Sequence, residues 1–108
     1  MKKIDPDFVY LKDMMDDAYY PPHLVEKLKN LLVELVHFLE PENKTNDEIQ
    51  VKCDEVTEAI NSLQDEFWEN GSEIETVARE SICETIFCIL KYFDIDIDSE
   101  EATRQRDW

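Results

Sequence analysis

The chain is expected to fold as an all-α, four-helix bundle-like single domain closed by a short docked C-terminal tail. Three observations predict it. Breakers divide the 108 residues into four stretches with apolar residues at helical spacing. Only one glycine, Gly71, interrupts the chain, and no stretch alternates long enough to make paired strands. A chain of this length is one domain by size and can bury a core without a disulfide or metal.

The first helix is expected over about 6–17. Asp5 would cap it, Pro6 would take the first helical position, and Phe8, Leu11 and Met15 recur on one face. Ala18-Tyr19-Tyr20-Pro21-Pro22 then reads as an extended connector. The second helix is expected over 22–39, with Leu24, Val25, Leu28, Leu31, Leu32, Leu35, Val36 and Leu39 as a single stripe. Thr45-Asn46-Asp47-Glu48 has the form of a capping box. It would open a third helix over 46–70, with Ile49, Cys53, Val56, Ile60, Leu63 and Phe67 as a narrow seam.

The stretch FWENGSEIE forms the next corner. Gly71 is placed to take the left-handed conformation that ends a helix. Ser72 and Glu75 would form the capping box of a fourth helix over 73–93, with Glu75 four residues before Arg79. That helix is apolar nearly all round, which predicts a central position. In the tail, residues 94–108, Asp94-Ile95-Asp96-Ile97-Asp98 is too short for a sheet. Trp108 is expected to dock over Cys83 and Phe87, with Arg104 and Arg106 facing acidic helices; the same patch could instead join two copies, so monomer and homodimer both stay open.

Twenty-seven acidic residues against eleven basic ones give a net charge of −16. Such a field repels nucleic acid and anionic membrane surfaces and attracts basic proteins, basic peptides and cations. The start lacks a secretory apolar run, and no stretch approaches the roughly 18 apolar residues of a membrane span. Three cysteines, Cys53, Cys83 and Cys88, cannot all pair within the chain, which favours reduced thiols in a cytoplasmic protein.

No catalytic, metal or cofactor site is expected. Glu34-Leu35-Val36-His37 carries the spacing of a di-iron half-site, but it occurs once, and His37 lies opposite the apolar stripe. Glu55 and Glu58 fall on the outward face of the third helix. The DIDIDS run imitates a calcium loop, yet Ser99 stands where glycine makes the turn and Gln105 where a glutamate ligand is required. Two partner-binding clusters remain. Asp13, Asp16 and Asp17 stand beside Tyr19 and Tyr20, combining acids with aromatics that can anchor a basic partner. Trp68, Glu69 and Arg79 surround the glycine corner.

The pattern L-K-D-M-x-x-D-x-Y-x-P-x-x-L-V-x-K, the stretch F-W-E-N-G-S-E-I-E-T-V-A-R-E and the closing R-D-W resemble a bacterial family of short acidic proteins catalogued as domain of unknown function 5713. The resemblance implies a common fold and a bacterial origin. It implies no activity, cofactor or catalytic residue.

The leading functional expectation is an interaction module that binds a basic protein or peptide, as an inhibitor or immunity-type neutraliser. A carboxylate- and Mg²⁺-dependent nucleotide-processing bundle enzyme is the alternative, and a structural or oligomeric role is a third.

Overall fold

Pro22 starts the first long helix. In the computed structural model, which describes residues 3–108, α2 spans Pro22–Leu39 and buries Leu24, Val25, Leu28, Leu32, Leu35, Val36 and Leu39. Leu31, at the edge of that stripe, is half-buried. The α3 helix spans Asn46–Glu69 and opens on a complete capping box. The Glu48 amide donates to the Thr45 hydroxyl at 3.1 Å, and the Thr45 amide donates to the Glu48 carboxylate at 2.9 Å. All six seam residues of α3 are buried. The two helices run antiparallel, as the ion pair between Lys27 near the start of α2 and Glu66 near the end of α3 shows.

The first helix differs from the sequence expectation of residues 6–17. Only α1, Lys12–Met15, is helical. Asp5 makes a tight turn instead of a cap: its carboxylate accepts from the Asp7 amide and its carbonyl from the Phe8 amide, both at 2.9 Å. Leu11 is left-handed at φ 52°, and its amide donates to the Thr85 hydroxyl at 3.1 Å. A left-handed leucine costs about 1–2 kcal/mol. Burying it completely returns about 1.5–3 kcal/mol. Docking therefore outweighs a short helix whose nucleation is itself unfavourable. Met14 takes the inward position expected of Met15, which is exposed.

The α4 helix spans Thr76–Tyr92 and buries Ala78, Ser81, Ile82, Thr85, Ile86, Ile89 and Leu90. It lies against α1 and α5 rather than at the centre, and its outer face leaves Val77, Phe87 and Cys88 exposed. It ends as α3 does. Phe93 stands at the cap, Asp94 is left-handed at φ 56°, and the Ile95 amide reaches back to the Leu90 carbonyl at 2.9 Å.

The tail contains a helix that its composition did not announce. Here α5, Ser99–Ala102, is held by Asp98, whose carboxylate accepts from the Glu101 amide at 2.9 Å. The tail then lies along a second, polar face of α3. Gln50 donates to the Glu101 carbonyl, Thr57 to the Ala102 carbonyl, and Asn61 to the Gln105 carbonyl while accepting from the Asp107 amide. Arg104 grips Asp54 with two hydrogen bonds, at 2.8 and 3.1 Å. Burial alone would raise the Asp54 carboxyl, but these bonds, with one from Gln50, hold it below its usual range. Arg106 departs from expectation by folding back over the Trp108 ring, 5.6 Å from its centroid, and donating to the Trp108 carbonyl.

Trp108 joins the core at 7% exposure. The tail covers only half of the patch assigned to it. Thr103 hydrogen-bonds Cys83, whereas Phe87 remains 46% exposed with Lys91 over its ring. The described residues thus form three long helices and two single turns with no strand, an all-α fold.

Candidate functional site

The connector between α1 and α2 and the corner between α3 and α4 meet. In the connector, the Asp17 carboxylate accepts from the Tyr19 amide at 2.9 Å and its carbonyl accepts from the Tyr20 amide. This tight turn sends the two tyrosines in opposite senses. Tyr20 is buried, and with Asp17 it lines a separate depression of about 360 Å³ beside Met14, Met15 and Val25. Tyr19 stays 47% exposed and packs edge-on against Tyr20, with ring centroids 5.1 Å apart.

The Tyr20 hydroxyl donates to Glu75. Glu75 caps α4 in turn, its carboxylate accepting from the Val77 amide at 3.2 Å and the Ala78 amide at 3.4 Å. The expected capping box is therefore displaced by three residues. Glu75 is the N-cap, α4 begins at Thr76 rather than 73, and Ser72 caps nothing. A charged acceptor that satisfies two orphan amides and a buried phenol outcompetes a serine hydroxyl that would satisfy one amide. The bond to Tyr20 holds the Glu75 carboxyl below its usual range, aided by the two amides and by the nearby Arg79 charge. Burial, then the bond to Glu75, pushes the Tyr20 phenol well above its ordinary value.

On the α3 side, Gly71 is left-handed at φ 74°. The Ser72 amide donates to the Phe67 carbonyl at 2.9 Å and the Gly71 amide to the Trp68 carbonyl at 3.1 Å, the double closure of a glycine-terminated helix. Phe67 points into the core and Trp68 outward, 74% exposed. Tyr19, Trp68, Gly71, Ser72 and Glu73 consequently line one cleft of about 280 Å³. Ser72 is its only buried lining residue, at 3% exposure. Its hydroxyl is enclosed and finds no hydrogen-bond partner among the described residues.

The two predicted clusters are thus joined through Tyr19 and Trp68, but not all their members come along. Asp13 and Asp16 are exposed on α1 and its end, and Asp13 lines a separate depression with Phe8, Lys12, Glu84 and Cys88. Asp17 supports Tyr19 from behind. Glu69 is exposed beside Trp68. Arg79 is half-buried, within the electrostatic reach of Glu75 and Cys83, and makes no close ion pair with Glu75 among the described residues. The sequence predicts Ser72 as a cap, and no local signal marks its place in the cleft.

Chemistry elsewhere is sparse. His37, Glu55 and Glu58 are exposed, and the described residues contain no group of three His, Cys, Asp or Glu placed to hold a metal ion. Burial pushes the Cys53 thiol up to about 11 and raises Cys83 as well. No helix among the described residues is long and apolar enough to cross a membrane.

Fold and site together define a small, acidic, all-α protein with an aromatic-walled cleft at a helix corner. Residues 4–108 match the model of a family of unknown function, DUF5713, and the chain belongs to that family. No curated protein and no solved structure matches it.

Proposed function

We propose that the protein is an interaction module for a basic protein or peptide, acting as an inhibitor or neutraliser of that partner. One observation carries the reading: Trp68, the most exposed large apolar side chain among the described residues, stands beside Tyr19 on a chain of net charge −16. Exposed tryptophan and tyrosine are the residue types that become energetic anchors at interfaces. A strongly negative field steers a basic partner toward them and accelerates encounter at low salt.

The test uses intrinsic fluorescence. Trp108 is buried and Trp68 is not, so quenching and emission shifts on binding report chiefly on Trp68. A defined arginine- and lysine-containing peptide should change the emission saturably, with affinity falling as salt rises. An acidic peptide of equal length should have no effect. Trp68→Ala should weaken binding of the basic peptide by about tenfold or more, as measured by calorimetry. Equal responses to basic and acidic peptides, or none to either, would remove the proposal.

A further inference from the structure

We infer that the Tyr19–Trp68 cleft is a recognition pocket for a single arginine side chain of the basic partner, with Ser72 and Glu73 receiving its guanidinium. The inference deepens the binding reading above and rests on it.

Size is the first argument. A cleft of about 280 Å³ lies just below the range of about 300–1,000 Å³ in which small-molecule and cofactor sites fall, so it suits one side chain. Charge is the second. Exposed Glu73 lines the cleft and exposed Glu69 adjoins Trp68 in the chain, so the aromatic walls stand beside carboxylates. A cation entering there exchanges water for aromatic faces and a counter-charge.

Ser72 selects among cations. Its hydroxyl is enclosed and makes no hydrogen bond among the described residues, although Ser72 lines the cleft. The proposed binding requires one χ1 step, between staggered positions, to bring this hydroxyl to the bound guanidinium. A quaternary ammonium has no N–H to donate and would leave the hydroxyl unsatisfied. A lysine ammonium can donate, but it is compact and strongly hydrated. A guanidinium is planar, more weakly hydrated, stacks on aromatic rings and still offers N–H groups at its edge. Arginine engages the aromatic walls, the hydroxyl and the Glu73 carboxylate together at a smaller desolvation cost than lysine.

The experiment compares two peptides of equal length and charge, one with arginines and one with lysines in their place, against the full isotope-labelled chain. The arginine peptide should bind at least about fivefold tighter and shift the Trp68 indole and the Gly71 and Ser72 amides. Ser72→Ala should weaken the arginine peptide by about fivefold, the worth of one hydrogen bond, while leaving the melting temperature unchanged or higher because an orphan hydroxyl is gone. Glu73→Gln should weaken it by about tenfold or more at low salt. N-acetyl-trimethyl-lysine amide should bind more weakly than N-acetyl-arginine amide.

If both peptides bind equally and the cleft signals do not move, the pocket is wrong while binding of basic partners stands. If neither peptide binds at low salt, both readings fall. Preference for trimethyl-lysine overturns the guanidinium assignment, as does a Ser72→Ala variant that keeps full affinity and arginine preference.

Discussion

Tyr20→Phe tests the hydrogen bond that ties the connector to the start of α4. The substitution keeps the buried ring and its edge contact with Tyr19 but removes the donor to Glu75. A hydrogen bond to a charged group is worth about 1.5–3 kcal/mol net, and 2 kcal/mol is a reasonable centre here. For 108 residues, an unfolding entropy of about 2 cal/mol/K per residue converts that loss into roughly 9 °C of melting temperature. The pH dependence is the sharper signature. Glu75 has a depressed folded pKa, so its contribution is present above the unfolded glutamate value of about 4.3 and fades as pH falls through the folded value. Tyr20 has a raised folded pKa, so its contribution is present below about 10 and fades as pH climbs toward the folded value. The stability difference between the two proteins should therefore be greatest from about pH 5 to 9 and narrow on both sides. Urea unfolding at pH 3, 7 and 10.5, followed by circular dichroism, measures it. A difference constant across those values, or none at pH 7, would refute the coupling.

Three further substitutions probe the elements that frame the cleft and the core. Thr85→Val should destabilise by about 1–3 kcal/mol, because the Leu11 amide loses its partner in a buried site; an unchanged urea midpoint would show that Leu11 is held by packing alone. Gly71→Ala should cost about 1 kcal/mol from backbone strain at φ 74°, since the added methyl meets nothing within 4 Å; full stability would mean that the corner adopts another conformation. Deleting residues 104–108 removes Trp108, whose burial is worth about 3 kcal/mol or more. It also removes the tail's bonds to Asn61. An unchanged melting temperature for that variant would exclude tail docking.

What was legible in the sequence was what local chemistry decides alone. The α2 stripe, the Thr45–Glu48 box and the Gly71 stop each depend on a few neighbouring residues, and each is present. The stretch before Leu11 failed for the opposite reason. Its helical spacing was real, but the hydroxyl of Thr85, 74 positions away, fixes Leu11 in a conformation that no helix contains. The second face of α3 was hidden because Gln50, Asp54, Thr57 and Asn61 are polar, and apolar periodicity is blind to a strip that binds a tail through hydrogen bonds. Likewise α5 lay in a run read only for strand and calcium-loop patterns, although Asp98 three residues before Glu101 supplies a helix cap.

The displaced cap of α4 bears on the proposed pocket. Ser72-Glu73-Ile74-Glu75 contains everything a local capping box requires, yet the chain extends through it. Extension buries Ile74 and lets Glu75 serve the α4 amides and Tyr20 together. It also strands the Ser72 hydroxyl in an enclosed position, a conflict that an alanine there would relieve without loss of any bond the folded chain makes. Conflicts between local preference and tertiary placement concentrate where a protein does something besides fold. The Ser72 amide closes α3, but its hydroxyl makes no hydrogen bond among the described residues, and Ser72 lines the cleft with Tyr19 and Trp68. A partner's donor would complete the hydroxyl, and the paired readout of Ser72→Ala, stability against affinity, is the measurement that separates a packing remnant from a recognition site.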